Sequence, residues 1–154
     1  MSIRILLLGK NKGRYMEEGV ADFAQRLTPL CELELEYLKD EKVHDNVNKV
    51  LDKEADRILG RVQADEYLIV LDDKGKSFTT EKLADHFSQL KDKGIGKFVM
   101  VIGSAHGLSE RVKSQADVLL SLSPLTMNHQ IVRLVLLEQI YRIFTLHRGM
   151  KYHK

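Results

Sequence analysis

Four short apolar runs set the strongest limit on what this chain can fold into: Ile3–Leu8, YLIVL at 67–71, FVMVI at 98–102 and VLLSL at 118–122. A strand with one face in water alternates apolar and polar residues. A strand that is apolar throughout needs cover on both faces, which is the habit of parallel sheets packed between helices. The segments in between supply the helices. Tyr15, Met16, Val20, Phe23 and Leu27 recur at helical spacing, and Pro29 closes that helix. Val47, Val50, Leu51, Ile58 and Leu59 mark a second helix. Leu83, Phe87 and Leu90 mark a third, capped by Thr79 or Thr80. A short helix follows Ser109, and a long one ends the chain. Cys31, Leu33, Leu35 and Tyr37 alternate with Glu32, Glu34 and Glu36, the pattern of a half-buried strand near a sheet edge. The expected fold is one α/β domain over residues 1–154, a mostly parallel sheet with helices on both faces. From these residues alone a flavodoxin-like sheet is expected.

Several function classes are disfavoured. The single cysteine, Cys31, excludes an internal disulfide framework, and no Cys/His spacing suits zinc, so no metal is expected. The opening MSIRILLLGK is too short an apolar run for a signal peptide. Arg133, Glu138 and Arg142 interrupt the longest apolar segment, so no membrane span is expected and a cytoplasmic location is. No G-x-G-x-x-G follows the first strand and no Walker A sequence occurs; Gly9-Lys10 alone carries no nucleotide-binding signal. A net charge of +2 says little about a polyanionic partner. Its distribution says more: from Gln139 to Lys154 there is no acid, but there are Arg142, Arg148, Lys151, Lys154, His147 and His153. Such an end is either a solvated terminus or a tail for phosphates and bases.

Ligands of parallel sheets gather beyond the carboxyl ends of the strands. Three strand ends therefore matter: VLDDKGK, with a turn expected at Gly75; VIGSAHG, with Gly103 and Gly107; and LSLSPLTMNHQ. In the helix that follows, Leu134, Leu136, Leu137, Ile140, Tyr141 and Phe144 share a broad face, with Glu138, Gln139 and Arg142 opposite. Arg133 falls in the middle of the apolar face. Its guanidinium cannot lose its charge and must find a carboxylate, carbonyls or a ligand phosphate. Helical side chains lean toward the N-terminus, which aims Arg133 at the SPLTMNH loop; a structural ion pair, even across a subunit boundary, is the other reading. So wide an apolar face also suggests a dimer seam.

SLSPLTMNHQIVRLVLLEQIYRIF, with VIGSAHGLS and LDDKGK before it and RGMKYHK at the end, resembles the RlmH branch of the SPOUT methyltransferases. The likeness runs from LLLGK to the last lysine, and its specificity lies in the order and spacing of the fragments. It implies a C-terminal trefoil knot, a homodimer, and S-adenosylmethionine as methyl donor. It also implies the substrate: N3 of a pseudouridine in large-subunit (23S) ribosomal RNA within the assembled ribosome. Carried over by motif, the cofactor contacts are Leu71, Gly103, Leu122, Ser123, Pro124, Leu125, Thr126 and Met127. His129, Arg133, Tyr152 and His153 become candidates for orienting the base or stabilising its developing negative charge. Two positions depart from the family pattern. Ser104 stands where a second glycine is usual, and Asn128 where a proline is usual. Asn128 should cap the helix as well as proline would start it. Ser104 is the main support for the rival reading, a noncatalytic RNA- or ribosome-binding dimer of the same fold; a protein whose dimer seam is its whole function is the third.

Overall fold

The computed structural model describes residues 1–44 and 46–154. Its elements are β1 (Ser2–Leu8), α1 (Arg14–Leu27), β2 (Glu32–Leu38), α2 (Val47–Leu59), β3 (Tyr67–Ser77), α3 (Thr80–Asp92), β4 (Lys97–Ile102), α4 (Glu110–Lys113), β5 (Val118–Ser121) and α5 (His129–His147). The five strands form one sheet in the order β2-β1-β4-β3-β5, and every pairing between them is parallel.

The strand runs explain the layers. In β1, Ile3, Ile5 and Leu7 point to one face, where Ile69, Met100 and Ile102 join them beneath α1, α3 and α5. Leu6 and Leu8 point to the other face, with Leu68, Val70, Val99 and Val101 beneath α2 and α4. Both faces are covered, as uninterrupted apolar strands require. Thr79, rather than Thr80, caps α3 by accepting from the Lys82 N–H. The alternating strand β2 is at an edge, as its pattern predicts.

Two expectations need correction. The order is not flavodoxin-like, which would be 2-1-3-4-5; β3 and β4 have exchanged places. The second concerns β3 itself. The segment around Gly75 is no turn but part of an 11-residue strand. Tyr67 to Val70 pair with β4 on one side, and Ile69 to Leu71 pair with Val118 to Leu120 of β5 on the other; after a register shift between Leu71 and Lys76, Lys76 and Ser77 lie opposite Leu120 and Ser121. Gly75 makes that approach possible, because a Cβ there would stand 2.6 Å from the carbonyl oxygen of Leu119.

In α5 the buried apolar residues are Leu136, Leu137, Ile140, Ile143 and Phe144. Leu134 and Tyr141, expected on the same face, are only half-buried, and Ile143 takes a place in the core. Leu134 lies over Gly19 of α1, where a Cβ would come within 3.1 Å of its Cδ1. The two helices pack side by side.

Candidate active site

A cleft of about 350 Å³ opens at the carboxyl ends of β4 and β5 and at the register shift within β3. Leu71, Gly103, Leu122, Ser123, Leu125, Thr126, Met127 and His129 all line it. Pro124 is exposed and does not. Much of the wall is backbone. Gly103 is buried, and a Cβ there would stand 2.5 Å from the carbonyl oxygen of Gly107. The missing side chain therefore lets the following loop fold back over the strand end. Gly107 makes that reversal with φ 83°, and its N–H donates to the Ser104 carbonyl at 3.0 Å.

The loop after β5 is tied to β3 rather than free. The Ser121 hydroxyl lies 3.0 Å from the carbonyl oxygens of both Asp73 and Ser123. Thr126 Oγ1 donates to the Asp73 carboxylate at 3.1 Å, and Ser123 Oγ accepts from the Leu125 N–H. Asp72 beside it pairs with Lys113 at 2.9 Å. Burial pushes the Asp72 carboxyl up, but the Lys113 ammonium and the Lys74 N–H outweigh it and the net shift is downward. Asn128 then caps α5, its Oδ1 accepting from the Gln130 N–H at 2.8 Å. His129 stands at the cleft with its pKa lowered, first by burial and then by Arg133 and Lys12, which favours the neutral imidazole.

Arg133 does not face the loop before its helix. It is 1% exposed and reaches the end of β1, donating from Nη2 to the Leu8 carbonyl at 2.6 Å and from Nη1 to Asn11 Oδ1 at 3.1 Å. Its Nε has no partner among the described residues. The helix passes beside α1 and over the end of β1, so a side chain leaning back meets that strand rather than the SPLTMNH loop. Gln130 joins it, accepting the Lys12 N–H at 2.9 Å and donating to the Lys10 carbonyl at 3.2 Å. Arg133 is thus a clamp on the loop after β1 and does not line the cleft.

Tyr152 and His153 are also outside the cleft. Tyr152 donates to Glu138 at 3.2 Å, sets its ring edge-on to Tyr141, and carries the Arg142 guanidinium 4.8 Å from its centroid. His153 reaches Glu81 at 2.8 Å and Arg142 at 3.4 Å. The tail folds against its own α5 and the start of α3. The tail turns back to the level of Glu138 and Arg142, which lie about 14 and 20 Å of helix rise from His129. The fold gathers the cofactor candidates with His129, and gathers Tyr152 with His153, but keeps the two groups apart.

Sequence reasoning missed Asp73, Lys113, Gln130 and Glu138. Glu138 was legible as the i, i+4 partner of Arg142; the others needed the topology. It also missed Glu54, 1% exposed behind the cleft, whose Oε1 accepts from the Glu41 N–H at 3.2 Å. Its Oε2 and the neighbouring Ser104 hydroxyl have no partner at hydrogen-bonding geometry among the described residues. Burial pushes this carboxyl up, only partly opposed by the Glu41 N–H and Ser104.

The family model described as "Predicted SPOUT methyltransferase" matches residues 1–153. Proteins named "Ribosomal RNA large subunit methyltransferase H" from Streptococcus mutans, Halothermothrix orenii and Clostridioides difficile are each 40% identical to this chain over 159 aligned residues. In each case the alignment covers 100% of both chains.

Proposed function

The chain belongs to the SPOUT methyltransferase family, and from that premise we propose that it methylates N3 of a pseudouridine in large-subunit ribosomal RNA. In this reading the donor is S-adenosylmethionine, the substrate is the assembled ribosome, and the enzyme is a cytoplasmic homodimer. The observation that carries the reading is the cleft itself: the ends of β4 and β5 beside the register shift of β3, a glycine-shaped backbone wall and the tethered loop from Leu122 to Met127. S-adenosylmethionine needs an apolar slot for its adenine and backbone groups for its polar edge. Leu71, Ile102, Leu120 and Leu122 offer the first; the 103–107 and 122–127 backbones offer the second. The trefoil knot expected of the fold is in keeping with the bonds that draw residues 121–126 against Asp73.

Bound there, the cofactor supplies a methyl group already activated on a sulfonium. The chain's task is to place a nucleophilic nitrogen in line with it and to accommodate the N3 proton. His129 lies 3.3 Å from the Gln130 amide nitrogen through Nε2, which must accept. Its neutral ring therefore carries the proton on Nδ1 and can donate it to a carbonyl oxygen of the base as negative charge develops there. The tail cluster of Tyr152, His153, Arg142 and Glu138 is held against α5 and α3 outside its own cleft, so in this reading it serves the cleft of the second subunit. There its cations and the Tyr152 ring hold the base and offset the charge developing on it.

Calorimetric titration with S-adenosylmethionine, followed by transfer of a labelled methyl group to ribosomes, tests the reading. Ligand at 100 times its dissociation constant should stabilise the fold by about 2.7 kcal/mol and protect residues 122–127 from hydrogen exchange. Heat-silent titration together with intact ribosome binding would establish the noncatalytic dimer instead.

A further inference from the structure

The loop between β1 and α1, GKNKGR, carries no nucleotide-binding signal and does not line the cofactor cleft. From Gly9 to Met16 it contains Lys10, Lys12 and Arg14 and no acid. Its path is fixed. Gly9 and Gly13 bracket it with φ of 78° and 86°, conformations that L side chains rarely adopt. Between them, Arg133 holds the Leu8 carbonyl and Asn11, while Gln130 holds both the Lys12 N–H and the Lys10 carbonyl.

That clamp is costly. A guanidinium 1% exposed, with one N–H unpartnered, gives up hydration that hydrogen bonds to neutral groups repay only in part. An aliphatic side chain would fill the same space in a core already closed by Leu136, Leu137 and Ile140. What the arginine adds is the position of the loop. Lys10 and Lys12 project from it, both exposed and neither paired with a carboxylate among the described residues. Arg14 pairs with Glu18 one helical turn on, its own side chain 89% exposed. The acid beneath the loop is Asp40, whose carboxylate lies under Gly9. The loop stands at the same end of the sheet as the cleft, and Lys12 is near enough to His129 to help lower its pKa.

We propose that the loop from Gly9 to Arg14 is a preset docking platform for the RNA backbone, with Lys10 and Lys12 holding phosphates that flank the nucleotide presented to the cleft. This rests on the methyltransferase reading and adds to it a contact outside the cleft and the tail. Backbone phosphates are what two mobile ammonium groups on a rigid loop suit: point charges that fix register without reading sequence.

The test compares wild type with the double variant Lys10→Gln, Lys12→Gln and with Lys10→Arg, Lys12→Arg. Ribosome methylation is measured at physiological salt, and binding to a protein-free large-subunit rRNA fragment is measured across a salt series. Measured at about pH 8, where His129 is neutral with or without the Lys12 charge, the glutamine variant should raise the KM for ribosomes about tenfold with kcat and S-adenosylmethionine affinity unchanged. It should also flatten the plot of log K against log salt by roughly 0.7–0.9 for each lost phosphate contact. The arginine variant should behave as wild type. Unchanged KM and salt slope in the glutamine variant overturn the proposal. So does a loss seen on ribosomes but not on bare RNA, which would assign the loop to a ribosomal protein. If wild type transfers no methyl group yet shows RNA binding that depends on both lysines, the catalytic reading falls and the platform stands.

Discussion

Two buried polar side chains, Arg133 and Glu54, show what a sequence does and does not disclose about a single residue. That Arg133 would be buried was readable from its place on the apolar face of α5, and so was its need for carbonyls, a carboxylate or a phosphate. Which it meets depends on the strand that the helix crosses, and periodicity along one helix holds no information about that. Glu54 was invisible, since a glutamate in a helix of mixed charge reads as solvated. Its carboxyl, raised by burial, binds a proton more tightly folded than unfolded. The stability this contributes is present below about pH 4.5 and is lost as pH rises through the folded value. Glu54→Gln keeps an acceptor for the Glu41 N–H and removes the ionisation. It should therefore melt higher than wild type at pH 7, by about 2–4 °C for each 1 kcal/mol of relieved desolvation, and match wild type at pH 4. A lower melting temperature at pH 7, measured by calorimetry, would mean that the charged carboxylate holds the Ser104 loop in place.

Among the elements, the apolar strands and four of the helices were legible because each has its own internal period. The second half of β3 was not. DDKGK has the composition of a turn, and its extended course is imposed from outside by β5 and by the Asp73 contacts to Ser121 and Thr126. The same gap hid the strand order, since nothing in a local pattern says that β4 lies between β1 and β3. Gly75→Ala tests this pairing. Its Cβ would meet the Leu119 carbonyl at 2.6 Å, too close for the strands to keep their spacing. The variant should fold, melt several degrees lower, and bind S-adenosylmethionine at least tenfold more weakly, since β5 carries the cofactor loop; unchanged affinity would sever that link. For α5, the face expected to form a dimer seam is largely spent on the sheet: Leu137 and Ile140 are each 2% exposed. Leu137→Asp should therefore unfold the chain by burying a charge. The seam proposed for the homodimer falls instead on the flank shared by α1 and α5, where Tyr15 is 69% and Ile131 45% exposed. Light scattering should give twice the 17.7 kDa chain mass for wild type and a folded monomer for Ile131→Asp. A wild-type monomer at micromolar concentration, or a stable Ile131→Asp dimer, would remove the seam from this flank.

At the scale of the whole molecule, the separation of cleft and tail decides how many chains make one active site. Sequence showed a basic end and a donor loop but not that the end folds back on α5 at Glu138 and Arg142, about 14 and 20 Å of helix rise from His129. Tyr152 and His153 cannot move closer to the cleft without giving up Glu138, Tyr141, Arg142 and Glu81. If the tail acts in the reaction, it acts on a neighbour. Deleting residues 150–154 should leave mass and S-adenosylmethionine binding unchanged and abolish methyl transfer. Mixing then shows which subunit each tail serves. One chain lacks the tail; the other keeps it but carries Ala105→Trp, which fills the cleft from an exposed position. Gly103 is the wrong place for such a block, because any side chain there strikes the Gly107 carbonyl and threatens the fold. Each homodimer should be inactive. A mixed dimer working in trans has one intact cleft facing one intact tail and should recover up to half of the wild-type rate. A tail working in cis would leave every cleft in the mixture either blocked or without its tail, and the rate would stay at background. Full activity in the tail-deleted homodimer would reduce the basic end to a solvated terminus, its contacts with α3 and α5 serving stability alone.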